Sequence, residues 1–210
     1  MSLSRSALFV SLEGIEGAGK SSVLPALADA VLAAGLEVEL TREPGGGPLG
    51  EALRQIFLNP SLCLDASEEL LLLYAGRRDH LHRRILPALA AGKVVLCDRF
   101  EDSSYAYQGG GRQEALARIR QLSQWAGIDR EPDLTFWLDL PPEQAVERIR
   151  ARQPDRLERE DLDFFRRARE VFAARAKGAP HRIVRIDASL PLATVQETAV
   201  GILCERLSIS

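Results

Sequence analysis

The sequence predicts an α/β fold, a five-stranded parallel sheet flanked by helices on both faces. Three observations point there. Short apolar, β-branched runs alternate with helical periodicity along the chain, a glycine-rich turn joins the first run to the first helical segment, and 210 residues suffice for one full core at 46% hydrophobic content. Strands buried on both faces read as near-continuous apolar runs, and crossover helices imply parallel pairing of one hand. One domain is expected over residues 1–210, with a short lid at approximately 150–160.

The first strand is carried by Leu8, Phe9, Val10 and Leu12. After it, Gly14, Gly19, Lys20 and Ser21 fit G-x-x-x-x-G-K-[ST], with Gly17 a third glycine in the loop. Glycines let the main chain turn tightly and bring its N–H groups to phosphate oxygens, and the positive end of the next helix favours the same anion. Lys20 would reach the β- and γ-phosphates and the Ser21 hydroxyl a Mg²⁺ ion. Val23, Leu24, Leu27, Val31 and Leu32 then repeat at helical spacing, and Gly35 ends the helix.

Residues 36–41 read as the second strand, and TREPGGGP (41–48) excludes regular structure. A helix beginning near Pro48 carries Leu49, Leu53, Ile56 and Phe57. Past a loop at 59–66, Ser67 is the expected N-cap of a long helix, whose four consecutive leucines (70–73) argue for burial on more than one side. Pro87 should kink its end.

The run 93–97 is a third strand leading into Asp98-Arg99-Phe100, and 101–112 is polar, aromatic and glycine-rich. A helix over 114–125, a strand over 134–140 and a helix from Pro142 to about Arg152 follow. The pattern breaks at 153–160 and resumes with a helix (161–177), a strand (181–187) and a last helix (191–207).

In open parallel sheets, ligands sit beyond the carboxyl ends of the strands. The glycine loop, TREPGGG, Asp98-Arg99 and the 153–160 segment all border that rim. Asp98, ending an apolar strand, suits a metal carboxylate. Arg42, Arg77, Arg99 and Arg112 fall on the same rim, and guanidinium groups grip phosphate in forked pairs, so a second phosphorylated molecule beside the nucleotide is expected.

Arg83, Arg118, Arg120, Arg167 and Arg169 read as solvated helix faces, whereas Arg148, Arg150, Arg152, Arg156 and Arg159 crowd the break at 153–160. Tyr105 and Tyr107, beside Gln108, are the groups a nucleoside site would use, while Trp125, Trp137, Phe164, Phe165 and Phe172 occupy core positions. Cys63, Cys97 and Cys204 have no metal-ligand spacing, and His80 and His82 point to different faces of one helix.

A net charge of -3 gives no global field for nucleic acid or anionic lipid. No apolar run approaches the ~18 residues of a membrane span, and MSLSRSALFV lacks a signal-peptide core, so a cytoplasmic enzyme is expected.

With EGIEGAGKSS (13–22), TREPGG (41–46), YAGR (74–77), DRF (98–100), YAYQGGGR (105–112), DLTFWLDL (133–140) and DRLE (155–158), the chain resembles the bacterial thymidylate kinases, nucleoside monophosphate kinases of the P-loop class, over nearly its whole length. The resemblance implies a P-loop kinase fold and transfer of the γ-phosphoryl of ATP to dTMP with Mg²⁺, in a homodimer packed through helices. Gly14, Ile15, Glu16, Gly17, Ala18, Gly19, Lys20 and Ser21 would hold ATP, with Ser21 and Asp98 on the metal. Glu16 would organise the acceptor side. Arg42 and Arg99 would grip the dTMP phosphate, Arg77 and Gln108 would contact thymine, and Tyr107 would crowd a 2′-hydroxyl. Leu49, Leu53, Leu73 and Ser104 complete the expected acceptor site.

No basic residue stands among Ile15, Glu16, Gly17 and Ala18, where some members carry a catalytic arginine, so Arg152 and Arg156, with Arg150 third, inherit that role. Leu73 stands where many members have phenylalanine and offers no π-face; Ser21-Ser22 and Phe100 also depart from the common pattern. Three other readings are a kinase for another nucleotide or nucleoside, a P-loop GTPase switch and a binding module without catalysis. Against the switch, the chain's one asparagine, Asn59, precedes Pro60 and makes no N-K-x-D; against the module, Lys20, Ser21, Asp98 and Arg99 are intact.

Overall fold

The computed structural model describes residues 7–149, 156, 157 and 159–209. Its sheet is built from β1 (Leu8–Glu13), β2 (Val38–Arg42), β3 (Val94–Asp98), β4 (Leu134–Asp139) and β5 (Ile183–Asp187). All pairings are parallel and the order is β2-β3-β1-β4-β5. In register, Leu12 and Arg42 both lie opposite Asp98, so the carboxyl ends of β1, β2 and β3 come level on one rim. The ladder runs one residue further, Arg99 N–H donating to Leu12 O and Glu43 N–H to Asp98 O, each at 2.9 Å.

Alternation along β1 explains the two-sided core. Val10 and Leu12 join the larger cluster with Phe136, Phe165 and Phe172, while Phe9 joins Val95, Cys97, Phe100, Leu81 and Ile85 on the other face. Both sets lie under helices, as the continuous apolar strand runs require. Phe9 and Phe100 meet edge to face with centroids 5.0 Å apart, a pair worth about 0.5–1.5 kcal/mol beyond its burial.

The helices are α1 (Lys20–Ala33), α2 (Pro48–Phe57), α3 (Ala66–His80), α4 (Leu86–Ala90), α5 (Glu101–Ser104), α6 (Leu116–Ala126), α7 (Pro142–Ile149), α8 (Leu162–Gly178) and α9 (Leu192–Leu207). Among them α1 starts directly on the glycine loop and buries Val23, Leu27 and Val31, a four-residue spacing that keeps one face inward. No helix among the described residues is long and apolar enough to cross a membrane.

Several local expectations are corrected. The cap of α3 is Asp65, not Ser67: its carboxylate accepts from Glu68 N–H while Glu68 answers to Asp65 N–H, closing a reciprocal box. The four leucines divide: α3 is packed by α2 and by α6, so it is covered on more than one side as expected, with Leu70 buried, while Leu71 is 59% exposed on the side left open. The break before Pro87 is a π-helical turn at Leu81–Ile85, and Pro87 sits in the first turn of α4.

The polar, glycine-rich residues 101–111 form α5 followed by a π-helical turn at Tyr105–Gly111, against which α8 packs. The glycines belong to that contact, since a Cβ on Gly111 would lie 2.3 Å from the Phe164 ring and one on Gly110 2.6 Å from Arg167 O. Trp125 is 84% exposed rather than core; the inward face of α6 is Ile119, Ser123 and Ala126.

Candidate active site

At the carboxyl rim a hollow encloses about 680 Å³, part of it open to solvent. Its wall brings together sequence-distant residues, among them Glu16, Arg42, Leu73, Arg77, Asp98 and Arg99, with Ser104, Tyr107 and Gln108. The glycine loop forms one border.

In that loop Ile15 and Ala18 bury their side chains in the main core, leaving main chain as what they can give a ligand, alongside Gly14, Gly17 and Gly19. Lys20 donates to Gly14 O (3.0 Å) and Ile15 O (3.1 Å). Burial, then the positive charge of Arg99, pulls its ammonium down to about 8, against the pull of Asp98 and Glu16. Ser21 is exposed in the first turn of α1.

Glu16 is the junction of the site. Arg99 Nη2 donates to its Oε1 at 2.5 Å and Tyr107 donates to its Oε2. Burial pushes the Glu16 carboxyl up, but Arg99, Lys20 and the Tyr107 hydroxyl together hold it below the usual range. Arg99 also donates to Gly14 O (2.8 Å) and Ser103 Oγ (3.2 Å), and its guanidinium lies 5.0 Å from the Tyr107 ring centre. Beneath it Glu13 accepts from Phe100 N–H (2.7 Å) and Ser103 Oγ–H (2.6 Å), and burial, with Asp102 second, pushes its carboxyl up to about 8.

Asp98 Oδ1 is buried with no hydrogen-bond partner among the described residues. An unsatisfied buried acceptor costs about 1–3 kcal/mol, a deficit that a cation removes. The buried Asp98 carboxylate therefore fits a hard divalent ion of the Mg²⁺ kind.

A second cluster forms around Arg77. Its Nε donates to Glu43 Oε2 (2.7 Å), its Nη2 to Ser104 Oγ (3.0 Å) and Phe100 O (3.3 Å), and its Nη1 is buried without a partner among the described residues. Tyr74 and Phe100 flank the guanidinium at 4.7 and 5.4 Å. Leu73 and Phe57 add apolar wall, and Gln108 donates to the buried Glu69 at 2.8 Å. Arg42 borders the hollow, half exposed and paired with Glu51 at 3.0 Å.

The remaining expectations fare differently. Leu49 is 47% exposed and outside the hollow, because the first turn of α2 is anchored by its main-chain N–H on Asp79 with the side chain outward. Leu53 lines a smaller neighbouring crevice shared with Leu73 and Arg77. Arg112 pairs with Glu69 and Glu160, and Tyr105 packs under Arg175 at 3.9 Å, so neither joins the wall. Arg167 and Arg169 are only partly solvated: Arg167 donates to Gly110 and Gly111 carbonyls, and Arg169 pairs with buried Asp139 at 2.6 Å.

Arg156 is buried, donating to the buried Glu69 Oε1 (2.6 Å) and to Phe57 O (2.8 Å), and its Nη2 has no partner among the described residues. Arg150 and Arg152 lie outside the described residues, as does most of the expected lid. The sequence reading missed Glu13, Glu43, His80 and Glu69. Glu13 and Glu43 stand inside the motifs, next to the glycine loop and within TREPGG, which was the available signal. Arg148, part of the charge run, donates to Gly17 O (3.3 Å) and Ala188 O (3.2 Å).

Comparison with known proteins agrees with this geometry. The family model described as thymidylate kinase matches residues 12–199. A thymidylate kinase of Pseudomonas fluorescens is 50% identical over 202 residues, covering 95% of this chain and 96% of that one. One from a Polaromonas species is 48% identical over 205 residues, covering 88% and 90%. The crystal structure of thymidylate kinase from Ehrlichia chaffeensis superposes with a TM-score of 0.77 at 35% identity, covering 93% of this chain and 97% of that one. A glycine loop, a rim arginine tied to it and an orphaned strand-end carboxylate thus coincide with likeness along almost the entire length, and the chain belongs to the thymidylate kinase family.

Proposed function

We propose that this enzyme transfers the γ-phosphoryl group of ATP to the 5′-phosphate of dTMP, giving dTDP and ADP. The observation that carries the reading is Arg99, which lines the hollow while bonded both to the loop carbonyl of Gly14 and to Glu16. One guanidinium thereby reaches the border between the two phosphate sites.

The loop amides and Lys20 hold the donor phosphates; on nucleotide entry Lys20 exchanges the carbonyls of Gly14 and Ile15 for phosphate oxygens. Ser21 and Asp98 would hold Mg²⁺, which would supply positive charge against the phosphates undergoing transfer. Arg42 and Arg99 clasp the acceptor phosphate, and Glu16 keeps Arg99 aligned. Arg77, Ser104 and Gln108 supply the polar edge for thymine, with Leu73 and Phe57 as its apolar wall. Tyr107, fixed through its hydroxyl to Glu16, packs against the deoxyribose and disfavours a 2′-hydroxyl. Arg152, with Arg150, brings the charge that the loop lacks.

The enzyme works in the cytoplasm as a homodimer. The apolar surface such a dimer would cover includes Leu49 and Ile56 of α2, Leu71 of α3 and Leu116 of α6, all exposed on neighbouring helices. A single-copy mass in sedimentation would contradict that assembly.

Phosphorus NMR of the protein with ATP, Mg²⁺ and dTMP tests the reaction. Stoichiometric appearance of the dTDP and ADP β-phosphate signals is expected; release of inorganic phosphate with dTMP unchanged would refute it.

A further inference from the structure

We infer that His80 is a positioning residue for acceptor recognition: it fixes Glu43 and, through Glu43, sets the guanidinium of Arg77 in the hollow. The inference rests on the reading of the hollow as the dTMP site.

His80 closes α3 and is fully buried. Its Nδ1 lies 3.1 Å from Glu43 Oε1 and its Nε2 2.7 Å from Thr41 Oγ1. An ionised carboxylate only accepts, so Nδ1 carries the hydrogen; in the neutral ring Nε2 then accepts from the Thr41 hydroxyl. The imidazole thus clips the end of β2 to the loop that follows it.

The other Glu43 oxygen takes Arg77 Nε at 2.7 Å. Arg77 and His80 stand three apart on α3 and share a face, so one carboxylate from the loop is gripped at both oxygens by one helix. With Nε on Glu43 and Nη2 on Ser104, the plane of the guanidinium is set, and Nη1 is left buried and unpartnered among the described residues. Both Arg77 and Glu43 line the hollow.

The loop is shaped around the ring. A Cβ on Gly46 would stand 2.3 Å from His80 Nε2 and Cδ2, so Gly46 of TREPGGG makes room for the imidazole. Leucine could fill the same volume but cannot hold a carboxylate oxygen; without the ring's N–H, Glu43 is free to turn and Arg77 with it.

Steady-state kinetics of His80→Leu and His80→Asn, with melting temperatures, test this. Loss of a donor to a charged acceptor should raise KM for dTMP about tenfold, while KM for ATP and kcat stay within about twofold. Asparagine, whose amide can replace Nδ1–H, should recover most of the loss. An unchanged KM for dTMP, a common fall in kcat and both affinities, or no recovery with asparagine would overturn the inference. If the leucine variant does not fold, Thr41→Val takes its place: it holds the ring from Glu43 alone and should raise KM for dTMP about threefold, and no change would overturn the inference. Wild-type turnover of dTMP, measured alongside, separates the two claims. Without it the acceptor reading fails and takes this inference with it; with it and an unaltered variant, only the role of His80 fails.

Discussion

Arg99 Nη2 stands 2.5 Å from Glu16 Oε1, joining the residue that follows β3 to the middle of the phosphate loop. The pair is mostly buried, so removing one partner strands the other charge. Arg99→Ala should lower kcat/KM for dTMP by at least about 10²-fold, and Arg99→Lys should not restore it, because a single compact nitrogen does not reproduce the planar guanidinium whose Nη1 meets Gly14 O and whose Nη2 meets Glu16. Steady-state kinetics of the two variants checks this; recovery by lysine would argue for a simple point charge.

Lys20 supplies a pH dependence. Its ammonium is pulled down to about 8 by burial and Arg99, so the free enzyme loses that charge as pH rises through about 8. The profile of kcat/KM for ATP should fall on its alkaline side there. Lys20→Ala should lose nearly all turnover while keeping the wild-type circular dichroism spectrum.

Glu13 supplies a pH dependence of stability with a definite sign. Its carboxyl is raised to about 8 by burial and Asp102, so the folded state keeps a proton that the unfolded chain releases near pH 4.5. The stabilisation is full below that lower value and is lost as pH rises through about 8. Thermal melts between about pH 6 and 9 should show a declining midpoint, and Glu13→Gln, neutral throughout, should flatten the decline.

The two expected lid arginines should separate. Arg156 is held by the buried Glu69 and by Phe57 O, so Arg156→Ala should lower the melting temperature and leave kcat within about tenfold. Arg152→Ala should instead lower kcat by about 10³-fold, the scale of an arginine on a transferring phosphoryl group. Equal losses of kcat in both variants would contradict the division.

What could be read from sequence was what local pattern controls. Apolar runs gave five strands, and the glycine loop gave the first strand, the first helix and the rim between them. Side chains whose fate depends on distant partners were less legible. Trp125 looked like core by size and apolarity, but it lies about 100° around α6 from Ala126 and faces out. The charge run gave no hint that Arg156 would meet Glu69, 87 positions away. His80, Glu43 and Thr41 meet across 37 and 39 positions, beyond any helical or strand period. TREPGGG marks the loop as special without saying that a ring beneath it requires Gly46.

The central claim is that the hollow beside the glycine loop accepts dTMP, and it is met most directly by kcat/KM in a coupled assay with ATP and Mg²⁺ for dTMP, dUMP, UMP, CMP, GMP and AMP in turn. The account predicts dTMP first, dUMP weaker and the ribonucleotides weakest. A purine monophosphate or a ribonucleotide preferred over dTMP would contradict it.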